Sequence, residues 1–119
     1  MQSFKDLEVW QKSVDLTLEI YKLTKRFPKE EKFDLISQMR RCAISVPSNI
    51  AEGWGRESTK QYIHFLFIAR GSMYELETQA IIANRLKYLD NDSHSVLTNR
   101  MTSICMMLNK LISTLKRRL

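Results

Sequence analysis

With 119 residues, 44% hydrophobic and 27% charged, the chain has an ordinary globular balance and the size of one domain with a real core. Three glycines and two prolines leave few places to turn, which argues against sandwiches and barrels and for long helices with short connections. The net charge is +6, and because residues 1–57 hold ten basic and nine acidic groups, nearly all of the excess lies in 58–119. No acidic residue follows Asp92, whereas Arg100, Lys110, Lys116, Arg117 and Arg118 do. Such a basic end favours a polyanion or an acidic protein partner, and the same cations would also complement a helix C-terminus.

The first helical segment is expected from about Asp6 to Arg26, with Ser3 and Asp6 as a capping arrangement and Pro28 as its close. Leu7, Trp10, Val14, Leu18 and Tyr21 step along one face, and Val9, Leu16, Ile20, Leu23 and Phe27 along another. A second segment, from about Glu30 to Trp54, places Ile36, Met39, Ala43, Val46 and Ile50 on a heptad-like seam. Pro47 falls inside it and predicts a kink in one helix, not two helices, with Gly53 and Gly55 supplying the stop.

A third segment opens at Ser58 or Thr59 and carries Tyr62, Phe65, Ala69, Met73, Leu76, Ala80 and Ala83 on one face. Ile63, Phe67, Tyr74 and Ile81 form its second stripe. Gly71 sits mid-helix at a cost of about 1 kcal/mol against alanine, which points to close approach of a neighbouring backbone. The run ends near Leu89, and D-N-D-S reads as a turn with Asp92 or Ser93 as the next cap. Segment four is the plainest heptad: Leu97, Met101, Ile104, Leu108, Leu111 and Leu115, flanked by Cys105, Ile112 and Leu119.

Four amphipathic segments with short connections predict an all-α, antiparallel up-down-up-down four-helix bundle, one domain over 1–119. Surplus apolar stripes on the first and third helices point to self-association as a homo-oligomer, although wide stripes also serve a core. Cys42 and Cys105 fit no metal spacing and read as buried, reduced thiols of a cytoplasmic protein. The opening MQSFKDLEVWQKS has no apolar stretch of the signal-peptide kind, and no run approaches a membrane span.

Enzyme chemistry finds no foothold. His64 and His94 are too few for a metal site, and Glu75 and Glu77 lack the histidines of a di-iron bundle. G-W-G-R-E-S follows a helix and not a strand, so it is no dinucleotide fingerprint. No catalytic residue, metal ligand or cofactor is therefore expected. The unusual stretch is residues 40–62, where Ser48, Asn49 and Glu52 interrupt the heptad. It reads either as a buried amide and carboxylate paired with Arg40, Arg41, Arg56 or Arg70, or as a contact made by Arg56, Lys60 and an exposed Trp54.

The runs VPSNIAEGWGR and FLFIARGSMYELETQAIIANRLKYL, with the opening FKDLEVWQKSVDL, resemble the 23S rRNA intervening-sequence proteins over about Phe4 to Leu115. The motifs that carry the resemblance are N-I-A-E-G (Asn49, Glu52 and Gly53, with Arg56 following) and G-S-x-x-E-L-E (Gly71, Glu75, Glu77). It implies an up-down bundle with no established catalytic activity. Proteins similar in fold accompany diversity-generating retroelements as basic pentamers that engage a reverse transcriptase and nucleic acid. Two functions follow as expectations. One is nucleic-acid binding, RNA before DNA, through Arg56, Lys60, Arg85, Lys87, Lys110, Lys116, Arg117 and Arg118. The other is a protein-interaction adaptor for a partner encoded nearby.

Overall fold

Ser3 accepts a hydrogen bond from the Lys5 backbone N–H at 3.1 Å, and Asp6 accepts one from that of Gln2 at 3.2 Å. The pair therefore forms, but it closes a single 3-10 turn at Phe4–Asp6, and the first helix begins behind it. The computed structural model describes residues 2–31 and 34–119, and all its long elements are helices: α1 (Glu8–Thr24), α2 (Leu35–Trp54), α3 (Thr59–Arg85) and α4 (Asn91–Lys116). A second 3-10 turn, Lys29–Glu31, lies in the first connection.

The core takes the whole predicted seam of α2 and, on α3, the face from Ala69 to Ala83. On α4 only Leu111 of the main heptad is half-buried, and Leu119 of the flanking row is 71% exposed. The two stripes of α1 divide unequally: Val9, Leu16, Ile20, Leu23 and Phe27 are buried, whereas Leu18 of the other stripe stands 64% exposed. Burial is what holds the bundle, at about 25 cal/mol for each Å² of apolar surface removed from water.

Cross-helix hydrogen bonds run in reverse register between chain neighbours. Thr17 reaches Ala43 and Thr24 meets Arg40 between α1 and α2; Ser45 meets Ser72 and Cys42 meets Gln79 between α2 and α3. Arg70 to Asn109 and Cys105 to Glu77 do the same between α3 and α4.

Pro47 lies inside one continuous α2, as expected. Lacking an N–H, it leaves the carbonyl four residues back, that of Ala43, without its helical donor. The Thr17 hydroxyl of α1 stands 3.1 Å from that oxygen and 2.8 Å from the Ser13 carbonyl, so one proton serves two acceptors. A neighbouring helix thus repairs what the proline breaks.

Both later helix boundaries differ from expectation. Asp90, not Asp92 or Ser93, caps α4: its carboxylate accepts from the Ser93 N–H at 2.7 Å, and that bond holds the carboxyl below the usual carboxylate range. Residues 91–93 are therefore the first turn of α4, and His94 is a half-buried helical residue, not a loop one. At the end of α3 the Tyr88 and Lys87 N–H groups bond the Ala83 and Asn84 carbonyls, both at 3.0 Å, with Lys87 at φ 67°. This is a Schellman stop with lysine in the left-handed position where glycine is usual, so no sequence signal marked it.

Candidate functional site

The polar residues of the two motifs are bound mainly to residues outside them, on α2 and α4, and only Glu52 and Arg56 pair within a motif. Asn49 donates to the Ser45 carbonyl and hydroxyl at 2.7 and 2.9 Å, and that hydroxyl meets the Ser72 hydroxyl at 2.8 Å. Glu52 is exposed and pairs with Arg56 at 2.6 Å, one turn on. The expected buried carboxylate is thus a surface ion pair, and of the four candidate arginines only Arg56 meets Glu52. Arg40 turns to α1 instead, and Trp54, expected exposed, is half-buried and edge-on to Tyr62.

Gly53 has a clear physical requirement. A Cβ there would stand 2.9 Å from both Phe65 Cβ and Tyr62 Cδ1, so only glycine lets the start of α3 lie this close to α2. Gly71 is the reverse: a Cβ would meet nothing within 4 Å. The close approach expected there is not made among the described residues.

Glu75 and Glu77 each receive a thiol. Cys42 of α2 donates to Glu75 at 2.9 Å, and Cys105 of α4 donates to Glu77 at 3.5 Å. Two residues along a helix point roughly 200° apart, so the pair faces opposite neighbours with Leu76 in the core between them. Burial first, and then the adjacent carboxylates, push Cys42 up to about 11 and Cys105 up to about 12. Thiols held protonated in this way are poor nucleophiles.

The eight cations expected to bind nucleic acid do not share one surface. Arg56, Lys60, Lys116, Arg117 and Arg118 gather at the end of the bundle where α2 passes into α3 and α4 finishes. Arg85 and Lys87 lie at the opposite end, about 38 Å from Lys60 at 1.5 Å per residue. Lys110 lines a separate shallow hollow of about 530 Å³ with Met106 and Met107. All eight are exposed.

Arg70 belongs with the first group, although its position inside α3 gave no reason to include it. Its Nη1 donates to Asn109 Oδ1 at 3.0 Å, and its guanidinium carbon lies 4.9 Å from the Phe67 ring centroid. Lys116 Nζ lies 5.2 Å from the same centroid, and Arg56 stacks at 4.7 Å on Phe65. The arginine three residues after Phe67 was the available signal. The two ion pairs among the described residues are Lys12–Glu8 and Arg56–Glu52, so the rest of this cluster has no carboxylate within 4.0 Å.

No group of three or more His, Cys, Asp or Glu side chains able to hold a metal occurs among the described residues, and no helix of the structure is long and apolar enough to cross a membrane. His64 is exposed, edge-on to Phe65. A hollow of about 410 Å³ between α1 and α4 is lined by Lys12, Asp15, Asn99, Arg100, Ser103 and Ile104, of mixed charge.

Comparison with known proteins agrees with this architecture. The profile of the 23S rRNA-intervening sequence protein family matches residues 5–110. A crystal structure of a protein of unknown function from the S23 ribosomal protein family, from Bacteroides thetaiotaomicron, superposes with a TM-score of 0.79 at 25% identity. The superposition covers 87% of this chain and 97% of that one. No curated protein matches the chain.

Proposed function

We propose that this chain, which belongs to the 23S rRNA-intervening sequence protein family, is a non-catalytic, cytoplasmic, self-associating bundle that binds polyanions, RNA before DNA. The observation that carries the reading is the cation cluster at one end: Arg56, Lys60, Lys116, Arg117 and Arg118, of which only Arg56 has a carboxylate within 4.0 Å among the described residues. Cations gathered at one end of a bundle attract phosphate backbones with little regard for sequence. Arg85, Lys87 and Lys110 are too dispersed to serve the same contact. Fluorescence anisotropy with a labelled single-stranded RNA at low salt tests the reading. Binding whose logarithm falls linearly with the logarithm of salt supports it, and flat anisotropy at all protein concentrations refutes it.

A second observation favours a protein interface beside this. Ile68, Gly71, Glu75, Thr78 and Ile82 form an outward heptad on α3, and all five are exposed among the described residues. Another copy of the chain is the occupant we propose, five in all if the implied pentamer applies. Light scattering of wild type and Ile68→Glu checks it: an oligomer that the charge dissolves agrees, and a wild-type monomer refutes it. An adaptor role for a separate protein would appear instead as a partner retained after nuclease treatment.

A further inference from the structure

We infer that the hollow between α3 and α4 lined by Arg70, Asn109, Ser113, Lys116 and Arg117 is a phosphate-binding pocket. The inference rests on the polyanion reading and locates one contact of it. The hollow has about 410 Å³ of space, with Ile112 completing its lining, and no acidic residue lines it. The comparable hollow between α1 and α4 sets Asp15 among its cations.

The cations of the pocket are held in place. Asn109 Oδ1 takes one N–H of Arg70, and the Phe67 ring lies under both the guanidinium and the Lys116 ammonium. Two positive charges against one ring repel each other, and among the described residues no carboxylate within 4.0 Å offsets them. A doubly charged anion between them removes that repulsion. The helix dipole accounts for Lys116 and Arg117, which lie at the C-terminal end of α4. It does not account for Arg70, which sits twelve residues into α3.

The donor set matches a phosphate. Arginine offers a planar fork suited to two phosphate oxygens, and lysine offers a point charge. With its oxygen committed to Arg70, Asn109 has its amide N–H groups left to donate, and Ser113 adds a hydroxyl. The space exceeds one phosphate, so the pocket suits a phosphate carried on a chain, the internucleotide phosphate of RNA.

The test is a titration of the full chain with inorganic pyrophosphate, followed by NMR on the Asn109 side-chain amide. Saturable shifts are expected in wild type and in Arg85→Gln, whose charge lies at the far end. Binding about tenfold weaker is expected in Arg70→Gln, the scale of one charge-assisted hydrogen bond. Lys116→Gln provides the same reading should Arg70→Gln fail to give a wild-type circular-dichroism melt. Absence of shifts in wild type overturns the pocket, as do equal affinities in the Arg70→Gln and Arg85→Gln variants. A single-stranded RNA that displaces pyrophosphate ties the pocket to the polyanion. Pyrophosphate bound in the pocket but untouched by RNA leaves the phosphate site standing and removes RNA as its source.

Discussion

Arg40 and Arg70 show how differently two seams of one bundle use the same side chain. Between α1 and α2, Arg40 lies 4.5 Å from the Tyr21 ring centroid, its Nε donates to the buried Thr24 at 3.0 Å, and its Nη2 reaches the Tyr21 carbonyl at 3.4 Å. Between α3 and α4, Arg70 also lies over a ring, but its one acceptor is the exposed Asn109. The first seam consumes its polar groups internally; the second leaves cations facing outward. The two seams therefore use one residue type in two ways, and residue type alone does not say which.

The largest expected effect tests how tightly the inner side is packed. Gly53→Ala forces a Cβ into the space of Phe65 and Tyr62, and overpacking of this kind costs about 1–3 kcal/mol. Urea denaturation of the variant should show the loss, and unchanged stability would mean that the corner between α2 and α3 yields freely.

Next comes the direct comparison. Arg40→Met should cost about 1.5 kcal/mol, since charged hydrogen bonds to buried partners are lost. Arg70→Met should stay within about 0.5 kcal/mol of wild type, as surface substitutions do. Equal losses in thermal melts would erase the distinction between the seams.

A smaller effect concerns the proline. Thr17→Val should cost about 1 kcal/mol in wild type, and less in a Pro47→Ala background, where residue 47 regains an N–H for the Ala43 carbonyl. A double-mutant cycle by denaturation reads that coupling, and strict additivity would count against the repair.

Last is a dependence on pH that is absent near neutrality and confined to alkaline solution. Cys42 and Cys105 deprotonate in the unfolded chain at the ordinary thiol value but in the fold only toward about 11 and about 12. The folded state then binds more protons than the unfolded one over that interval, so the thiols' contribution to stability is intact below the ordinary thiol value and falls as pH rises above it. Replacing both cysteines with alanine should flatten that part of a stability–pH profile.

The fold was legible where periodicity had no rival. The seam of α2 and nearly all of the α4 heptad are core, because each helix carries one dominant apolar stripe. Helix α1 carries two of similar strength, and nothing in the residue types of Trp10, Val14, Leu18 and Tyr21 marks them as less buried than Leu7 of the same stripe. The Thr17 bond to Ala43 was beyond reach, since the carbonyl a proline strands is repaired from another helix far away in sequence. Lys87 escaped because glycine, the usual mark of a left-handed stop, is absent. For the eight nucleic-acid candidates, charge alone did not give their grouping in space. Helix length decided that, separating Lys60 from Arg85 by the length of α3.

The triplet Glu75–Leu76–Glu77 also sets a rotational phase. With its two carboxylates clasped by thiols from opposite neighbours, α3 cannot turn about its axis without releasing both. Inserting a single residue between Gly71 and Glu75 would swing everything beyond it by about 100°, trading the Leu76 anchor for a charge. A run of two acids that could be taken for reactive chemistry is instead the key that fixes which way the central helix faces.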